Sequence, residues 1–209
     1  MTPRPVLTAV LVLLAAAVMW GQTRNEPSTA EERTRALQVT KKLEHQPLGT
    51  QATQERGWLT KWIIEIPDIS VPVCDELLKP LLLGEVGQYR YSKELVAQEM
   101  AGAMAYLIEH PQPHQGDTED QDDFAINKAG MDSMMNAYEA IVHSAAKGAR
   151  WGPLEELQNK RKDDQFDEYI RQATLKCVTG ETLSAGLRGH GVCTVAWKKQ
   201  ASAPVRVLP

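Results

Sequence analysis

Apolar positions are unevenly spread along the chain. They begin with an uncharged run, Val6 to Trp20, rich in Leu, Val and Ala. Arg4 precedes it, and polar residues follow at once from Thr23. A short basic region, an apolar core and small residues before a polar boundary describe a secretory signal peptide, so residues 1–21 are expected to be one. The run is shorter than the roughly 20 residues a membrane-crossing helix needs. Cleavage is expected after Gly21 or Ala17. Residues 22–35 carry no large apolar side chain and read as a flexible leader.

Beyond that point the apolar spacing is helical. Residues 30–46 are helix-prone, with Leu37, Val39 and Leu43 apolar. Over 55–66, Trp58, Leu59, Trp62, Ile63 and Ile66 share one helical face, and Pro67 stops the pattern. Val73, Leu77, Leu78, Leu81 and Leu82 predict a short helix interrupted by Pro80. Ser92 is placed to cap the next helix, which runs to His110 and is almost entirely apolar. Its stripe of Ala97, Ala101 and Ala105, with Gly102 beside it, predicts a close neighbour and a central position. After an acidic loop, Phe124, Met131, Met134, Met135, Tyr138, Ile141 and Val142 mark a long helix over 118–146. Two shorter helices, 153–162 and 164–177, complete the set, with Pro153 suited to a first helical turn. Residues 178–209 lose the period and read as a weakly ordered tail or short hairpin. The expected fold is all-α: an irregular bundle of five to seven helices over 36–177, built around the helix ending at His110.

Composition narrows the functional classes. The chain has 209 residues, 23 basic and 27 acidic, for a net charge of −4. Loss of residues 1–21 would remove Arg4 and no acid. Such an acidic chain lacks the basic stripe of a nucleic-acid binder. An apolar content of 43% is too high for wholesale disorder. Export makes Cys74, Cys177 and Cys193 disulfide candidates, one being left over. Attachment of the weak tail favours Cys177–Cys193 over Cys74–Cys177. No C-x-x-C supports redox catalysis.

Candidate chemistry is sparse. Ser144-Ala-Ala-Lys147 matches S-x-x-K, but its serine closes a helix instead of opening one. Gly180–Gly186 lacks the glycine a nucleophile elbow needs before Ser184. His110, His114 and Asp117 offer ligand types suited to zinc or copper, across a stiff Pro-Gln-Pro link. The acids from Asp117 to Asp123 miss the glycine and glutamate positions of a calcium loop and are better read as complementing a helix dipole. The five methionines Met100, Met104, Met131, Met134 and Met135 read as core filling before copper binding. Trp58 and Trp62 are the candidate binding face for a protein or small apolar ligand. Glu99, if buried on the central helix, becomes a site candidate with a raised pKa. No catalytic residue or cofactor is assigned, and no membrane span is expected after signal removal. The primary expectation is therefore an exported, non-catalytic binding or structural module, periplasmic or secreted. The alternative is an exported copper- or zinc-binding protein or a small hydrolase.

Overall fold

A computed structural model describes residues 26–82, 89–111, 119–144 and 146–179, with backbone only at 82 and 119–122. The expected signal peptide, His114, Asp117, Cys193 and the tail from 180 onward lie outside the described residues. All regular structure among the described residues is helical, in seven helices.

α1 spans Ala30–His45. Thr29 and Glu32 form a reciprocal cap, with Thr29 Oγ1 accepting from the Glu32 amide at 3.2 Å and Glu32 Oε2 from the Thr29 amide at 2.9 Å. This cap opens the helix at Ala30, where the helix-prone stretch begins, inside the span whose polarity also reads as leader. Asp68 then fastens the start of α1: it accepts from the Ser28 amide, the Ser28 hydroxyl and Arg33 Nη2 at 2.7–2.8 Å. α2, Ala52–Glu65, ends just before Pro67. An extended strap leads to α3, Asp75–Leu82, which contains Pro80. α4, Ser92–Glu109, starts at the residue expected to cap it; Tyr91 holds the cap position and makes no side-chain capping bond. α5 is Glu119–His143, α6 Gly152–Lys162 and α7 Phe166–Thr179. Asp164 takes the left-handed conformation (φ 57°) in the tight turn between α6 and α7, where a short polar side chain is tolerated.

α4 and α5 form the spine. A Cβ on Gly102 would fall 2.4 Å from Ser133 Cβ and 2.8 Å from the Ala129 carbonyl oxygen. A Cβ on Gly130 would fall 2.8 Å from the Glu99 carbonyl oxygen. The two backbones therefore touch at two glycines. The alanine stripe expected to make this approach does other work: Ala101 is buried against α1 and α2, and Ala97 lines a surface groove.

Two apolar cores flank the spine. The larger holds Leu77, Leu95, Met134, Tyr138, Leu154 and Ile170, from α3 through α7. The smaller holds Ala36, Leu43, Leu59, Trp62 and Met104, from α1, α2 and α4. Cys74 and Cys177 stand at disulfide distance within the larger core, S–S 2.05 Å and Cα–Cα 5.7 Å. The favoured Cys177–Cys193 pairing is thereby corrected. α3 packs directly on α7, which brings two cysteines 103 positions apart together. Next to this core the 146–151 turn is held by aromatic side chains. Tyr89 Oη donates to the Ala149 carbonyl at 2.9 Å, Tyr91 Oη to the Lys147 carbonyl at 3.2 Å and Trp151 Nε1 to the Pro80 carbonyl at 2.9 Å.

Candidate functional site

The helix carrying Trp58 and Trp62 has two sides with different fates. Both indoles turn toward α1. Trp62 is buried in the smaller core and stacks on Trp58 with centroids 6.0 Å apart. The Arg35 guanidinium lies 3.9 Å over the Trp58 ring. The tryptophans thus pack the fold and do not form an open face. Trp62 Nε1 is buried without a hydrogen-bond partner.

Glu99 is completely buried, with 0% exposure, at the α4–α5 contact. Neither carboxyl oxygen has a hydrogen-bond partner among the described residues. Loss of hydration pushes its pKa up to about 7, with no charged neighbour contributing. The adjacent Gln98 is satisfied: its Nε2 donates to the Thr40 carbonyl at 3.1 Å and to Ser133 Oγ at 2.8 Å. Glu99 is therefore a buried acid closed off from the surface.

His110 ends α4 at the surface. Its ring stacks on Tyr106 at 4.1 Å, and Nδ1 lies 3.0 Å from the Tyr106 carbonyl oxygen. Its proposed co-ligands His114 and Asp117 are not described. Among the described residues no three His, Cys, Asp or Glu side chains are grouped to hold a metal ion. Met104, Met131, Met134 and Met135 are fully buried in the cores. Met100 is half-buried: it packs against the smaller core, which holds Met104, and also lines a surface groove.

That groove is the feature sequence reasoning missed. It follows the side of α2 opposite the tryptophans and has two lobes. The first, about 840 Å³, lies between α2 and the first half of α4. Gly57 and Thr60 line its α2 wall, and Val96 and Ala97 its α4 wall. The second, about 520 Å³, lies between the end of α2 and the strap that follows, with Ile66, Ile69 and Val71 in its lining. Ile64 and Met100 line both lobes, so the two are neighbours. Ile64 is 69% exposed and Val73, at the far end, 58%. A Cβ on Gly57 would meet no described atom within 4 Å.

Charge is confined to the first lobe. Arg56, Lys61 and Lys93 stand there with Glu65 and Glu94. Burial pulls the Arg56 guanidinium's pKa down, and the Glu94 carboxylate opposes that shift. Arg56 Nη2 donates to the Pro47 carbonyl at 2.6 Å. Lys61 Nζ lies 3.8 Å from Glu65 Oε1 in an exposed pair, which contributes little.

Two signals in the sequence point to this groove in retrospect. One is Gly57 inside a helical pattern, which costs roughly 1 kcal/mol relative to Ala. The other is Ile64, an isoleucine off the tryptophan face. No family model matches the chain, and no curated protein or solved structure does either.

Proposed function

We propose that the chain is an exported, non-catalytic binding module whose working surface is the groove between α2, the strap and α4. The observation that carries this reading is the groove itself. Its two lobes are neighbours with mostly apolar surface, and a Cβ on the helix-interior Gly57 in its lining would meet no described atom within 4 Å. Volumes of this size are typical of ligand pockets, roughly 300–1,000 Å³. Internal packing does not ask for Gly57, whereas close approach of a ligand to the helix would.

Export is supported by the uncharged Val6–Trp20 run behind Arg4 and by the Cys74–Cys177 pair, since disulfides persist mainly in oxidising compartments. Among the described residues no helix is long and apolar enough to cross a membrane.

Nile red, an uncharged apolar dye, tests the groove. Wild-type protein should bind it and Gly57→Leu should not, because the leucine side chain would project into the first lobe. Equal dye binding by both would sink the reading. N-terminal sequencing of protein recovered from its own host's envelope or medium tests export. A start near residue 18 or 22 is expected; an intact Met1 in cytosolic protein would overturn it.

A further inference from the structure

The groove is amphipathic along its length, and its polarity narrows what fits it. All of its charge sits in the first lobe. There the Arg56 charge faces Glu94, and Lys61 has Glu65 beside it. Lys93 is exposed and has no ion-pair partner among the described residues. The first lobe therefore carries one cation in excess, on a chain whose net charge is −4.

Among the described residues the second lobe carries no charge. Its lining is isoleucine, valine, proline and methionine, with Ser70 as the single polar side chain. A peptide laid there would bring an amide at every residue, and each needs a hydrogen-bond partner when desolvated. Pro67 and Pro72 remove two of the N–H groups the strap could offer. A hydrocarbon chain needs no such partner.

We propose that the groove binds a free medium-chain fatty acid, its carboxylate facing Lys93 in the first lobe and its hydrocarbon chain running past Ile64 and Met100 into the second. This rests on the groove being the working surface, and it adds the class of ligand.

Titration calorimetry with octanoate, decanoate and dodecanoate, each below its micelle concentration, tests it. Burying one methylene is worth about 0.8 kcal/mol, or about fourfold in affinity. Dodecanoate should therefore bind about 15-fold more tightly than decanoate. Lys93→Glu should weaken dodecanoate at least tenfold and leave decan-1-ol within twofold. Gly57→Leu, which gains helix propensity and so keeps the fold, should abolish binding of all four.

Three results would overturn the proposal. One is Nile red binding that Gly57→Leu removes with no carboxylate binding, which leaves the groove reading standing. Another is decan-1-ol losing as much affinity to Lys93→Glu as dodecanoate does. The third is binding to phosphatidylglycerol vesicles without binding to monomeric dodecanoate, which makes the surface a membrane contact. If Gly57→Leu alters neither Nile red nor dodecanoate binding, the groove reading fails as well.

Discussion

Glu99 shows how one residue ties the fold to pH. Its folded pKa of about 7 lies above the 4.5 of an unperturbed glutamate, because burial at the Gly130 contact removes hydration and supplies no partner. The folded state therefore holds the proton more tightly than the unfolded one. Stability is fullest below pH 4.5 and falls as pH rises through 7, by about 3 kcal/mol for a shift of this size. Glu99→Gln, which carries no ionisable proton, should show a flatter profile. Chemical denaturation of the two proteins should give nearly equal stabilities near pH 4.5 and a variant more stable by about 2–3 kcal/mol at pH 8. Parallel profiles at both pH values would contradict the buried, unpaired carboxyl. The sequence allowed this residue to be singled out because it is one of two polar positions in an otherwise apolar stretch of α4.

At the scale of elements, glycine distinguishes a contact from an opening. Gly102 is pressed against Ser133 and the Ala129 carbonyl, whereas nothing described lies over Gly57. Gly102→Ala should destabilise by about 1–3 kcal/mol through overpacking of the α4–α5 seam. Gly57→Ala should stabilise by up to about 1 kcal/mol through helix propensity. Thermal melts of the two variants should thus move in opposite directions. Helix positions were legible in the sequence because the 3.6-residue period and Pro47, Pro67 and Pro111 set them locally. The cap that opens α1 was not, since Thr29 and Glu32 sit in a stretch whose polarity also suggests a leader. The groove proposed as a binding face was not either. A pair of tryptophans on one helix face is compatible with a surface or a core, and only the position of α1 decides between them. A groove between α2 and α4 joins segments separated by the whole of the strap and α3, and periodicity within each segment carries no information about their pairing.

For the whole molecule, the Cys74–Cys177 link closes a loop of about a hundred residues that contains α3 to α6 and most of α7. In the chain-entropy model a loop of that length is worth roughly 4–5 kcal/mol. Cys74→Ala should lower the melting temperature substantially, and Cys193→Ser should leave it unchanged. Equal melting of Cys74→Ala and wild type under non-reducing conditions would show that the pair does not form. The all-helical class and central placement of α4 followed from the apolar pattern. The cysteine pairing did not, because spacing alone leaves every partner open and the decision comes from α3 packing on α7.

The link also divides the molecule unequally. It secures the larger core, while α1 and α2 lie outside the closed loop and are held by noncovalent packing and the Asp68 contacts. α2 is one wall of the groove; the other, α4, lies within the loop. Opening of the α1–α2 unit would therefore free one wall while the other stays in place. Native-state hydrogen exchange should find α1 and α2 amides less protected than those of α5. A ligand lodged between the walls should slow exchange in α2 more than in α5, joining a loosely held hairpin of helices to a covalently secured frame. Saturating the groove would then act as a reversible substitute for the crosslink that this half of the protein lacks.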